Sequence, residues 1–405
     1  MDSLYGSPSD VIFCSECVMS NQRPSSIPEF KHTKARVGAK YLQINGHGVC
    51  DACRQAKVKE TINWEEREEE LQALLAKYRK SDGSFDCLVP GSGGKDSAYQ
   101  SHILKYKYGM NPLTVTWPPI LYTAYGYKNF LNWLDLGGFD NITYRPNGNV
   151  MRRLTRLSIE NLLHPFQTFI LGQKNLAPKV ATKYGIDLVF YGENEAEYGN
   201  PIADNSSSLR ERSYYARKGL DDLVLAGLSV RELIEEHNFK LDELLTFLPI
   251  PESELGTSNI QIHYLGYYLK WIPQEAYYYA SENTGFQARP FRTQGTFSKY
   301  NSIDDKIDDL HYYTTYIKYG LGRASYDASQ EIRNKHCSRD EAILLVNKYD
   351  GEFPDKYFDE IMEYLGIEAD RFHELCDEFR SPHLWTKENN RWKLRHNVME
   401  RGCDD

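Results

Sequence analysis

The segment Gly91-Ser92-Gly93-Gly94-Lys95-Asp96-Ser97 has the residue types and spacing needed to hold a row of phosphates. Its glycines let backbone amides approach phosphate oxygens with no Cβ in the way. The apolar run Cys87-Leu88-Val89 before it predicts a strand, and residues 95–108 after it predict a helix stopped by Gly109. A loop between a strand and a helix N-terminus offers an anion free N–H groups and partial positive charge. Ser92 and Ser97 can add hydroxyl donors. Lys95 and Asp96 are its charged members and are expected to serve catalysis. A carboxylate belongs beside phosphates when it holds a divalent cation or orients the loop amides. A Walker A loop does not fit, because Val89 stands where its first glycine should be and Asp96 follows Lys95. The dinucleotide fingerprint Gly-x-Gly-x-x-Gly fails too, since Asp96 stands where its last glycine is needed and Ser97 and Ala98 follow. A glycine-rich turn without a ligand is the plain alternative, and the strand-loop-helix context speaks against it.

A second group with chemical potential is the pair of knuckles Cys14-Ser-Glu-Cys17 and Cys50-Asp-Ala-Cys53, separated by 32 residues. Two such pairs can complete a tetrahedral four-cysteine zinc site, with an iron–sulfur cluster or redox thiols as the other readings. With all four positions taken by sulfur, such a metal is structural and ties down a segment that lacks its own core. Cys87 and Cys376 read as core residues.

These groups must be positioned by the rest of the chain. After an N-capped helix opening at Asn63, strands are predicted at 87–89, 113–117, 141–144, 187–191 and 260–265, with helices at 95–108, 128–135, 151–163 and 175–184 between them. That alternation implies parallel crossovers and a doubly wound, five-stranded α/β sheet. The expected division is a zinc ribbon over 1–60, the α/β unit over 61–275 with an insertion at about 200–256, and a mostly helical region over 276–405.

The chain has 405 residues and a net charge of −9, which weighs against nucleic acid as the main partner. Aromatic residues make up 13%, with 30 Tyr, and such rings suit flat, polar-edged ligands such as sugars and bases. No apolar run is long enough to span a bilayer, and Met1-Asp2-Ser3-Leu4 lacks the features of a secretory signal. A cytoplasmic location with no membrane partner is expected.

The string Ser-Gly-Gly-x-Asp-Ser at 92–97 resembles the PP-loop of the ATP pyrophosphatase superfamily, whose fold is adenine nucleotide alpha hydrolase-like. That resemblance implies a strand order 3-2-1-4-5, with ATP gripped by Ser92, Gly93, Gly94, Lys95, Asp96 and Ser97. It places Thr116 and Trp117, at the end of the second strand, near the adenosine. A substrate oxygen would attack the α phosphate, giving an adenylate and pyrophosphate, with Mg²⁺ offsetting the departing charge.

A closer likeness lies in residues 161–201, which include Asn-Leu-Leu-His-Pro-Phe-Gln-Thr-Phe from 161 and Tyr-Gly-Glu-Asn-Glu from 191. Together with the cysteine start and the loop, they resemble the N-acetyl-sugar amidotransferases of bacterial surface-glycan biosynthesis, of O-antigen or pseudaminic-acid type. The resemblance implies ATP-dependent conversion of an acetamido group on a sugar, nucleotide-linked by expectation, to an acetamidino group. It also implies ammonia from glutaminase and cyclase-like partner subunits, since no built-in glutaminase is recognisable. Glu193 and Asn194, expected at the carboxyl end of the fourth strand, are candidates for orienting ammonia or substrate. Lys174, Lys270, Arg289 and Arg292 are candidates for phosphate or sugar-carboxylate contacts. The rival readings are a PP-loop tRNA thiolase and a non-catalytic scaffold that binds nucleotide as a structural ligand.

Overall fold

The computed structural model describes residues 2–25, 29–35, 39–192, 207–256 and 258–399. Its centre is a parallel sheet of β1 (Cys87–Pro90), β2 (Pro112–Thr116), β3 (Asn141–Thr143), β4 (Leu188–Tyr191) and β5 (Gln261–Tyr264), in the order β3-β2-β1-β4-β5. Leu88 pairs with Leu113 on one side and Val189 on the other, and Val189 pairs with Ile262. The expected strand order is therefore the observed one.

Alternation along β1 and β4 divides the core into two layers. Leu88 and Val189 join one cluster with Val115, Leu154 and Ala177, while Cys87, Val89, Leu188 and Phe190 join another with Leu71, Leu104 and Trp271. Both faces are covered, as a parallel sheet requires. The first face is covered by α5 (Gly148–Leu162) and α6 (Gln167–Tyr184), the second by α2 (Trp64–Tyr78), α3 (Lys95–His102) and α7 (Pro273–Thr284). Helix α4 (Ala124–Asp135) lies between β2 and β3 in the chain.

Two helices differ from their sequence expectation. The helix expected over 95–108 is α-helical only to His102; Ile103–Lys107 form a π turn, with the Tyr108 amide donating to the Ile103 carbonyl, before Gly109 at φ +64 ends it. The helix expected to begin at 175 begins at Gln167 and carries Pro178 inside it. Proline cannot donate to the carbonyl one turn back, at Lys174. The Tyr191 hydroxyl at the end of β4 donates to that carbonyl instead, at 3.1 Å.

The C-terminal region contains α8 (Asp308–Tyr319), α9 (Arg323–Arg333), α10 (Arg339–Tyr349), α11 (Asp355–Leu365) and α12 (Ala369–Glu378). Phe372, Leu375, Cys376 and Phe379 form the expected buried stripe. It also holds an antiparallel hairpin, β6 (Trp385–Glu388) and β7 (Arg391–Leu394), that the sequence pattern did not reveal. This region grips the start of the chain: the Leu4 amide donates to Ser381 Oγ and the Tyr5 hydroxyl to the Phe379 carbonyl, each at 3.0 Å. Among the described residues no helix is long and apolar enough to cross a membrane.

Candidate functional site

The loop leaves β1 at Gly91 and enters α3 through Gly94, whose extended backbone (φ −67, ψ 162) makes it the N-cap. No side chain caps α3, so its first-turn amides are available to an anion. Glycine is required twice. A Cβ on Gly91 would fall 2.2 Å from Ser97 Cβ, and one on Gly93, which sits at φ +83, would fall 2.5 Å from Phe130 Cα. Because Phe130 Cα is backbone of α4, the second clash cannot be relieved by turning a side chain. We expect Gly93→Ala to lower stability by about 2–4 kcal/mol and to weaken ATP binding more than tenfold. Chemical denaturation and calorimetric titration with ATP would check this; wild-type ATP affinity in a folded variant would show that the loop is not the cradle.

The charged loop residues form a unit. Lys95 Nζ lies 2.5 Å from Asp96 Oδ2, with Lys95 nearly buried. Asp96 Oδ1 is buried and has no hydrogen-bond partner among the described residues. Ser97 Oγ donates back to the Gly94 carbonyl at 3.0 Å, and Ser92 Oγ donates to Asp304 Oδ2 at 2.7 Å.

That last bond brings in a part of the chain far away in sequence. Residues 303–306 run antiparallel to 121–123: Tyr122 bridges Asp305, the Thr123 amide donates to the Asp304 carbonyl, and the Lys306 amide donates to the Leu121 carbonyl. The buried Arg289 donates to the Ile303 carbonyl at 3.0 Å, and Asn129 of α4 exchanges two hydrogen bonds with the Gln287 backbone. Asp304 is thereby held over the loop by backbone pairing.

Together these segments enclose a cavity of about 670 Å³. One wall is Ser92 to Asp96, with Asn129 and Gln173; the other carries Tyr300, Asp304, Asp308, Arg323, Asp327 and Arg333. Arg323 lies 2.8 Å from Asp327 Oδ1 and donates to the Tyr312 hydroxyl at 2.7 Å. Burial, with Asp304 and Asp305 close by, pushes the Asp308 carboxyl well above its usual range, and burial pushes Asp305 up to about 7. Such crowded carboxyls either take up protons or attract a cation.

The other expected site residues are placed as follows. Thr116 and Trp117 are buried in the core and do not line the cavity: Asn141 Nδ2 donates to Thr116 Oγ1 at 3.0 Å, and Trp117 packs on Tyr144 and Phe247. A Cβ on Gly172 would reach within 2.1 Å of the Trp117 ring, so α6 closes directly over it. Lys174 sits within α6, next to the cavity residue Gln173. Lys270 lines a smaller cavity of about 110 Å³ that shares Gln330 and Arg333 with the large one. Arg289 is spent on the Ile303 carbonyl, and Arg292 forms a two-pronged pair with Glu352, both contacts at 2.5 Å. Neither lines the large cavity. Glu193 and Asn194 lie outside the described residues. The sequence reading missed Asp304, Asp308, Arg323 and Asp327; the only local signal was a cluster of acidic residues at 304–309.

Away from the cleft, the sulfurs of Cys14, Cys17, Cys50 and Cys53 all lie within 4.8 Å of one another. Cys14 and Cys53 are 3.9 Å apart and Cys17 and Cys50 3.7 Å. The Cys50 amide donates to Cys14 Sγ, and Cys50 N-caps α1 (Asp51–Thr61) with its sulfur accepting from the Cys53 amide. This arrangement can hold a metal ion. Arg339 of α10 donates to the carbonyls of Cys17 and Cys14 at 3.3 and 3.4 Å. Cys87 and Cys376 are buried, which raises both thiols, Cys376 to about 12.

Comparison with known proteins links the second wall of the cavity to a described family. Residues 294–399 match the model of the LPS biosynthesis protein WbpG-like, C-terminal domain. A 76-residue stretch is 33% identical to the uncharacterized protein MJ1599 of Methanocaldococcus jannaschii, covering 19% of this chain and 27% of that relative's length. Among solved structures, the chain resembles an NH3-dependent NAD synthetase from Campylobacter jejuni (15% identity, 35% of this chain and 62% of that one, TM-score 0.28). It also resembles the U34-tRNA thiolase NcsA from Methanococcus maripaludis with its [4Fe-4S] cluster (13% identity, 80% and 86%, TM-score 0.28). An NMN synthetase from Francisella tularensis gives 14% identity over 62% and 93%, at TM-score 0.25. At those scores none of the three structures bears on what this chain acts upon.

Proposed function

We propose that this chain is an ATP-dependent, AMP-forming amidotransferase of surface-glycan biosynthesis, which turns the acetamido group of a nucleotide-linked N-acetyl sugar into an acetamidino group. One observation carries the reading. The loop Ser92 to Ser97 opens into a cavity whose facing wall, from Asp304 to Arg333, lies inside the segment that matches the WbpG-like domain. That shared cavity supports a reading in which one site joins a phosphate cradle to a segment similar to a glycan-biosynthesis domain.

The chain's own groups suit two successive displacements. The free amides of α3 and the Lys95 ammonium hold the β and γ phosphates, leaving the α phosphate toward the cavity. The acetamido oxygen attacks that phosphorus and pyrophosphate leaves. Ammonia then adds to the former carbonyl carbon, a proton is lost, and AMP departs with the original amide oxygen. Arg323 and Arg333 give the facing wall positive groups suited to an anionic, nucleotide-linked sugar. Asp96, whose Oδ1 has no partner among the described residues, and Asp304 and Asp308 are the residues that would hold Mg²⁺. When bound, Mg²⁺ would offset charge on the departing pyrophosphate. Ammonia is proposed to come from glutaminase and cyclase-like subunits, in the cytoplasm where ATP is available.

For the cysteine cluster we favour one zinc ion. Zinc–sulfur bonds of about 2.3 Å in a tetrahedron set sulfurs roughly 3.8 Å apart, close to the 3.7 and 3.9 Å seen. The commitment of all four knuckle sulfurs to one another, and the burial of Cys87, leave no thiol at the cleft for sulfur transfer among the described residues. This favours an amidotransferase over a thiolase.

The decisive experiment supplies ATP, Mg²⁺, ammonium and nucleotide-linked N-acetyl sugars labelled with ¹⁸O in the acetamido group. The expected products are a sugar with NH in place of O and AMP carrying the label. Release of ADP, or unlabelled AMP beside the amidine, would sink the mechanism.

A further inference from the structure

Behind the cleft lies a group of side chains that the proposed reaction does not use. Glu29, His32 and His164 bring one ligand atom each to within 4.8 Å of one another. Glu29 opens the 3-10 turn Glu29–Lys31, His32 follows it, and His164 lies in the link between α5 and α6. Glu29 Oε2 is 3.1 Å from His32 Nδ1. Leu163, at φ 47, takes the left-handed conformation just before His164, a costly choice for a branched side chain. A fourth residue backs the group. The His311 ring of α8 stacks on His164 with centroids 4.9 Å apart, and its buried Nδ1 has no hydrogen-bond partner among the described residues.

All four residues line one cavity of about 220 Å³. That cavity shares Arg23, Ile170 and Tyr326 with the large cleft, so the two spaces adjoin. A hydrogen-bonded pair of Glu29 and His32 would account for two of these residues. It would not account for the convergence of His164 on the same point from another element, or for His311, whose ring Nδ1 has no hydrogen-bond partner among the described residues.

We propose that Glu29, His32 and His164 form a second metal site, for a divalent first-row transition ion such as Zn²⁺, with one coordination position open to the 220 Å³ cavity. Two imidazoles and a carboxylate suit zinc or its neighbours, whereas Mg²⁺ and Ca²⁺ call for oxygen donors throughout. Three protein ligands leave room for a water or a substrate atom, unlike the closed cluster of four cysteines. The ion sits behind the wall of the cleft, and its presence is independent of which sugar is used.

Cobalt separates the two sites. Protein carrying one zinc ion per chain, at the cysteine cluster alone, is titrated with Co²⁺, and metal per chain is counted by mass spectrometry. One additional equivalent is expected, with d–d bands but no thiolate charge-transfer band, and with X-ray absorption showing only nitrogen and oxygen neighbours. His164→Gln and Glu29→Gln should each weaken this binding by at least about tenfold while leaving the cysteine-bound ion in place. No further equivalent in the wild-type protein, a sulfur-coordinated cobalt, or unchanged affinity in a folded His32→Gln/His164→Gln protein would overturn the site. The wild-type stoichiometry and absorption spectra decide the matter even if the variants fail to fold.

Discussion

Asp96→Asn is expected to lower the rate of AMP formation by at least about 10³-fold, or roughly 4 kcal/mol of transition-state stabilisation. Asparagine keeps the size and one oxygen of the side chain, so α3 should survive the change. What it loses is the negative charge. Asp96 Oδ2 holds the Lys95 ammonium at 2.5 Å, and Oδ1 is a buried acceptor without a partner among the described residues. An amide can neither fix that ammonium nor attract a divalent cation to the phosphates. Pyrophosphate release measures the effect, with metal content and melting temperature as controls. A variant within tenfold of the wild-type rate would remove Asp96 from the machinery.

Removing the metal ion proposed at Cys14, Cys17, Cys50 and Cys53 should have the largest effect on stability. The four residues are at most 3% exposed, and their sulfurs crowd within 4.8 Å. Without a cation, thiolates repel one another there, and protonated thiols cannot all satisfy the same amide donors. Metal binding to cysteine knuckles in isolated zinc-finger peptides contributes about 10 kcal/mol or more, and part of that is expected here. A strong chelator, or Cys17→Ser, should lower the melting temperature and speed amide exchange over residues 10–60. Exchange should also rise in α10, because Arg339 loses the two carbonyls it holds. Unchanged melting and exchange after verified metal removal would show that the knuckles stand without it.

The features legible in the sequence were those set by neighbours a few residues apart. The strand, glycines and helix start around Ser92 declared the phosphate loop, and alternating apolar runs declared the strands of the sheet. Helix caps are local in the same way: Ser229 with Glu232, and Ser338 with Glu341, exchange reciprocal side-chain-to-backbone hydrogen bonds across three residues. The opposite wall of the cleft was not legible. Asp304 reaches Ser92 only because a short antiparallel pairing joins 121–123 to 303–306, and nothing in either segment alone announces it. Trp117, which the resemblance places near the adenosine, is buried at the end of β2, because the missing side chain at Gly172 lets α6 close over the indole. Arg292 attracted attention as an available fork, and Glu352, sixty residues on, occupies both its prongs.

The bonds from Arg339 to the carbonyls of Cys14 and Cys17, and from Tyr5 to Phe379, have a consequence for biosynthesis. At about 5–20 residues per second on the ribosome, the knuckles emerge roughly 15–60 seconds before Arg339 exists. During that interval four reactive sulfurs wait without their final neighbours. The knuckles are thus made well before the helix that braces them, and a metal ion taken up in that interval would hold their sulfurs together until Arg339 arrives.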